Sequence, residues 1–134
     1  MHSTNYFNTF IEVAEDCPVA VAEIPPQKVE KTAASIVFEM ASNHPYQYTS
    51  DELIFHVYAL KNGISANNLD AEKERFFAKG QPCLRSSPLG KRFGWGFHFN
   101  SEGKVAMYAV ESDEYKELVN DKKLKMLKAM RSKR

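Results

Sequence analysis

The segment RFGWGFHFNSEGKVAMYAV, residues 92–110, is the part of the sequence that decides the fold. Strand-forming residues fill both of its ends, and Gly103 in the central NSEG can adopt the positive φ of a tight turn. The pattern therefore predicts a β-hairpin with strands over 93–99 and 104–110. In the first strand aromatic side chains alternate with glycines and His98, and we expect the aromatic face to be buried.

The segments before and after this hairpin predict one more strand and several helices. The opening run NYFNTFIEVA predicts a strand near 6–14. Apolar residues recur at helical spacing in VEKTAASIVFEMASNHP and TSDELIFHVYALKNG, and shorter helices are expected near 68–79 and over SDEYKELV. The predicted fold class is α+β: a single compact domain, residues 1–121, in which three to four helices pack on a small antiparallel sheet formed by the N-terminal strand and the 93–99/104–110 hairpin.

The C-terminal segment, residues 122–134, has a different charge from the rest of the chain. It holds seven basic residues and no acid, whereas the remaining residues include 11 basic and 17 acidic side chains. Such a segment can serve as an arm for nucleic acid or another polyanion. Alternatively, its apolar residues dock on the acidic body as an edge strand or a short helix, which we favour because charge runs commonly serve solubility.

Cysteine content and hydropathy predict a cytoplasmic protein. The chain has two cysteines, Cys17 and Cys83, far apart in sequence, and a small secreted domain usually carries more. Its first residues lack a basic segment followed by an apolar run, so no signal peptide is expected. No stretch approaches the roughly 18 apolar residues of a membrane span, so we expect no membrane association.

The glycine face of the first hairpin strand is the candidate binding site. Either a helix packs closely against Gly94 and Gly96, or the missing side chains leave a floor for a ligand that His98 recognises. No acidic residue occurs between Phe76 and Ser101, and Arg85 with its neighbouring serines can bind a phosphate or carboxylate. The candidate ligand-binding residues are Lys79, Arg85, Ser86, Ser87, Lys91, Arg92, Trp95 and His98.

Catalytic and metal-binding patterns are weak. Cys83 and His98 form a cysteine–histidine pair only if the fold brings them together, and a buried, inert thiol is the simpler interpretation. The four histidines are scattered and no cysteine or carboxylate cluster has the spacing of metal ligands, so we predict no metal site and no cofactor.

Four stretches carry a resemblance to a known family: TNYFNTFIEVAEDCP (4–18), YTSDELIF (48–55), KGQPCLRSSPLGKRFGWGFHF (79–99) and KAMRSKR (128–134). In these the whole chain resembles a family of small uncharacterised bacterial proteins, a domain-of-unknown-function family of about this length. The resemblance implies a bacterial, cytosolic protein and brings no activity, cofactor or catalytic residue with it.

Three functions from different classes are compatible with these observations. The leading hypothesis is a non-enzymatic module that binds an anionic partner, either nucleic acid or a phosphorylated small molecule, through residues 79–98. The second is a small enzyme with Cys83 or His98 in its site. The third is a structural or interaction protein, such as a homodimer that pairs through an edge strand.

Overall fold

The structure is a computed structural model, and it describes residues 2–132. It confirms the α+β class: helices pack on both faces of a single four-stranded sheet. The strands are β1 (Thr9–Glu12), β2 (Trp95–Phe99), β3 (Val105–Ala109) and β4 (Lys125–Lys128), and the helices are α1 (Ala33–Asn43), α2 (Ser50–Lys61), α3 (Leu69–Phe77), α4 (Pro88–Lys91) and α5 (Asp113–Val119).

The sheet has the strand order β3-β2-β1-β4 and is mixed rather than purely antiparallel. The predicted hairpin is present, and β1 pairs antiparallel with β2, so that Phe10 lies opposite His98. The fourth strand comes from the basic C-terminal segment and runs parallel to β1, with Leu127 opposite Ile11. The segment adds a strand because Leu127 packs on the core and Ala129 is buried.

Local sequence signals explain where several elements begin and end. Thr49 and Glu52 form a reciprocal capping box at the start of α2, and Ser112 accepts a hydrogen bond from Tyr115 N at the start of α5. Gly63 after α2 has φ +60° and Gly103 in the hairpin turn has φ +78°, as these turn positions require. The segment before the hairpin contains the one-turn helix α4, which the sequence pattern does not predict.

The main core lies on one face of the sheet, under α1 to α4. Strand alternation places Ile11, Phe97, Phe99 and Val105 on this face, and all four are buried. Phe93 and Trp95 pack against the same core, which confirms that the aromatic face of the hairpin is buried. The opposite face carries Phe10, Gly96 and His98 and is covered in part by α5.

Candidate functional site

The fold separates the predicted binding residues because adjacent residues of β2 point to opposite faces of the sheet. Trp95 lies on the core face, where its ring meets Phe38 at a centroid distance of 5.3 Å and its indole N–H donates to Glu23 O at 2.8 Å. His98 lies on the other face. The eight predicted residues therefore do not converge on one site.

The glycine face of β2 is closed by neighbouring side chains. A Cβ atom on Gly96 would lie 2.7 Å from ring atoms of both Phe10 and Tyr115. Gly94 has φ +83°, and a Cβ there would lie 2.9 Å from a Val19 methyl group. The two glycines thus allow close packing, and the open floor considered as an alternative is not present.

His98 belongs to a half-buried cluster of polar aromatic side chains. Its Nδ1 lies 2.7 Å from Tyr46 Oη, which in turn lies 2.8 Å from Tyr108 Oη. Burial lowers the pKa of the His98 imidazole, and the negative charge of Asp121 opposes this shift. Burial and the contact with Tyr108 raise the pKa of the Tyr46 phenol.

Cys83 lies on the other side of the sheet from His98, so the two do not form a nucleophile–base pair. The Cys83 sulfur is 3.2 Å from Tyr6 Oη, and the Tyr6 ring packs on Phe99 of the core face. Burial and the hydrogen bond with Cys83 raise the pKa of Tyr6 to about 12. The thiol therefore has a neutral phenol as its partner rather than a general base.

Arg85, the strongest sequence candidate for anion binding, contacts the C-terminal strand. Its Nε donates to Lys128 O at 2.8 Å, and its carbonyl accepts from Met130 N at 2.8 Å. Ser86 Oγ donates to Cys83 O, while Ser87 Oγ accepts from Leu89 N at the start of α4. Arg85 thus joins β4 to the 84–86 turn, and the hydroxyl groups of the two serines both bond to nearby backbone groups.

An apolar concavity lies between α1, α2, α3 and the segment before α4, and we call it the apolar cleft. It has a volume of about 400 Å³. Its walls include Ala34 and Val37 of α1, Ile54 and Val57 of α2, and Phe76 of α3. Ser86 and Ser87 line the opposite wall beside Cys83, and Lys61 lies at the rim.

A second concavity, the basic cavity, adjoins the apolar cleft. It has a volume of about 290 Å³, and Lys28, Arg92 and Phe93 contribute to its lining. Ala33, Ala34 and Pro88 line both concavities, and among residues 2–132 no carboxylate lines either one. The first turn of α1 carries no acidic residue, so the positive end of the helix dipole faces this shared region uncompensated.

Sequence reasoning identified three side chains of this region, Ser86, Ser87 and Arg92, but missed Lys28 and α1. A difference between the first turns of α1 and α2 could have identified α1 as part of an anion site. The capping threonine of α2 is followed by acidic residues, whereas TAAS at the start of α1 has none. Lys79 is exposed at the end of α3, and Lys91 is the last residue of α4; neither lines the two concavities.

Within residues 2–132, no three histidine, cysteine or carboxylate side chains come together as a metal site. Over the same range, no helix has the length and apolarity needed to cross a bilayer.

Comparison with known proteins identifies the family of this chain. No curated protein and no solved structure matches the chain. A family model described as a family of unknown function, DUF6157, matches residues 1–134, the full length that the resemblance in sequence implied. The chain therefore belongs to the DUF6157 family.

Proposed function

We propose that the protein binds a small molecule that has an apolar body and one anionic group, either a carboxylate or a phosphate. The observation that carries the proposal is the junction of two concavities at Ala33, Ala34 and Pro88, one apolar and one basic. No carboxylate of the described part of the chain lines either one. This retains the anionic partner expected from the sequence, but it moves the site from β2 to the start of α1.

The apolar cleft suits the body of such a ligand. Its volume of about 400 Å³ falls in the range typical of small-molecule sites. Its lining combines aliphatic side chains with two aromatic ones, Tyr58 and Phe76, whose rings stack 4.5 Å apart. Transfer of an alkyl or aryl group from water into this cleft supplies the hydrophobic part of the binding free energy.

The basic cavity suits the anionic group. Arg92 offers a planar guanidinium that can bind two oxygens at once, and Lys28 adds a second positive charge. Both side chains are exposed, so binding of the anion needs little desolvation of buried charge. The N-terminal turn of α1 contributes its dipole in the same direction.

The proposal is tested by isothermal titration calorimetry with decanoate, decyl phosphate and decanol, which share one chain and differ in the headgroup. We expect saturable binding of both anions and weaker binding of decanol. Arg92→Ala should weaken binding of the anions by about tenfold and leave decanol unchanged, since one charge-assisted contact is lost. Lys79→Ala is the matched control, because Lys79 is equally basic and exposed but lines neither concavity.

A second pair of variants tests the apolar cleft. Ala33 is an exposed residue of α1 that lines both concavities, so Ala33→Trp should fill the junction and abolish binding of all three compounds. Ser42→Trp adds the same ring at an exposed position of α1 that lines neither, and it should bind like the wild type. Equal binding by the two tryptophan variants would show that the ligand lies elsewhere.

A further inference from the structure

The two edges of the sheet differ in how their backbone groups are paired. The outer edge of β3 is covered by the segment before α2: Tyr46 N donates to Val105 O, and Val105 N donates to Tyr48 O. Thr49 forms an isolated antiparallel bridge with Lys104 next to these bonds. The outer edge of β3 is therefore covered at Val105, whereas the outer edge of β4 has no partner strand among residues 2–132.

The register of β4 shows which of its backbone groups point outward. Lys125 N donates to Asn8 O and Ala129 N donates to Glu12 O, so the odd-numbered residues of the strand bond to β1. The N–H and C=O groups of Met126 and the N–H of Lys128 consequently face away from the sheet. The outward carbonyl oxygen of Lys128 accepts a hydrogen bond from Arg85 Nε, so this acceptor at the C-terminal end of the edge is already occupied.

The side chains along this edge are basic. Lys122, Lys123, Lys125, Lys128 and Arg131 are all exposed, and Lys128 forms an ion pair with Glu15 at 3.4 Å. Antiparallel pairing with a second copy of β4 would bring two sets of lysines close to one another, which is unfavourable. An acidic strand would instead place carboxylates beside them. The charge thus favours a foreign acidic strand over a copy of this chain.

We propose that the outer edge of β4 binds an acidic peptide segment in extended conformation, which adds a fifth strand to the sheet. The peptide backbone bonds to the outward groups of Met126 and Lys128, and its carboxylates lie near the exposed lysines. This mode of recognition combines main-chain hydrogen bonds with side-chain charge. No residue of β4 lines either of the two concavities, so the test of this peptide site does not depend on the outcome of the test of the proposed function.

The test uses the full chain and a fluorescein-labelled hexapeptide, Glu-Val-Glu-Val-Glu-Val, followed by fluorescence anisotropy. Met126→Pro removes the outward N–H without changing any charge or any hydrogen bond to β1, and proline is tolerated at such an edge position. We expect Met126→Pro to weaken binding by about tenfold through the lost main-chain bonds. Met126→Ala, which keeps the N–H, should bind like the wild type.

A second peptide covers the case in which Met126→Pro does not fold. The same hexapeptide with every backbone amide N-methylated keeps its charge but has no N–H to donate and carries methyl groups on both edges, so it cannot form the ladder and should not bind the wild-type chain. Equal binding of the methylated and unmethylated peptides would overturn the proposal. So would oligothymidylate binding that displaces the peptide and is unaffected by Met126→Pro, since that would make the segment a polyanion site. A dimer abolished by Met126→Pro would assign the edge to a second copy and overturn the proposal as well.

Discussion

Gly96 lies at the closest approach between the sheet and α5. The ring of Phe10 from β1 and the ring of Tyr115 from α5 meet edge to face above it, with centroids 5.0 Å apart. Tyr115 Oη also accepts a hydrogen bond from Val13 N at 2.9 Å, which fixes the position of that ring. Neither ring can move away without breaking a buried contact, so the space above Gly96 cannot expand.

We therefore predict that Gly96→Ala destabilises the protein by roughly 2 kcal/mol, the cost of overpacking a rigid site. Gly80→Ala is the control, because a Cβ there has no atom within 4 Å and the backbone does not have positive φ. That control should be neutral or slightly stabilising. Urea unfolding of both variants gives the comparison, and equal midpoints would show that α5 does not hold Tyr115 in this position.

Residues whose conformation is set by near neighbours could be predicted from the sequence. Gly103 was assigned correctly because turn chemistry depends on residues within a few positions. The contact of Arg85 with Lys128 O could not be predicted, because the two residues lie 43 positions apart along the chain. Lys28 was missed for the same reason, since only the folded chain places it in the same cavity as Arg92.

At the scale of elements, the segment between α1 and α2 is joined to the sheet by both its backbone and its side chains. Tyr46 has a φ of 59°, a conformation that costs energy for a residue with a Cβ. In this conformation its N–H reaches Val105 O while its hydroxyl reaches His98 and Tyr108. The segment thereby covers the edge of β3, and the His98 cluster helps to hold it there.

This arrangement predicts a pH dependence of stability. Burial lowers the pKa of His98 in the folded state below its ordinary value of about 6.5. The unfolded chain therefore binds a proton on His98 more tightly than the folded chain does. The contribution of neutral His98 to the free energy of unfolding is complete above about pH 6.5 and is lost as the pH falls towards the folded-state pKa. Tyr46, Tyr108 and Asp121 are the groups that act on the imidazole, and Asp121 limits the effect.

The measurement is the urea midpoint of the wild type and of His98→Gln at about pH 7.5 and about pH 5.5, on either side of the ordinary histidine pKa. Glutamine keeps an acceptor for Tyr46 but does not titrate, so the variant should lose less stability on acidification than the wild type. His56→Gln, at an exposed position of α2, should behave like the wild type. Parallel pH profiles for the wild type and His98→Gln would contradict the prediction.

Elements with a strong periodic pattern were predicted well, and the elements that depend on distant contacts were not. The hairpin and α2 were found because alternation and capping identify them locally. For β4, the sequence did not decide between a strand and a short helix. Its two apolar residues, between Lys125 and Lys128, are too few to show the spacing of either structure. Pairing with β1 decides between them, because only a strand places Leu127 on the core face beside Ile11.

At the scale of the whole molecule, the chain ends and the central hairpin share one core. Ile11 near the start, Phe97 in the hairpin and Ala129 near the end belong to the same buried cluster. Trp95 extends this connection to the irregular segment before α1 through its bond to Glu23 O, and Glu23 N donates to Phe93 O. No part of this core can be removed without exposing the rest.

Such a molecule should unfold in a single cooperative transition in which Trp95 fluorescence and far-ultraviolet circular dichroism change together in urea. Truncation after Leu124 removes β4 and uncovers Ile11, and it should lower the free energy of unfolding by at least about 2 kcal/mol. Truncation after Arg131 retains β4 and is the control. Two separate transitions, or the same urea midpoint for both truncations, would mean that β4 is an appendage of the domain rather than part of its core.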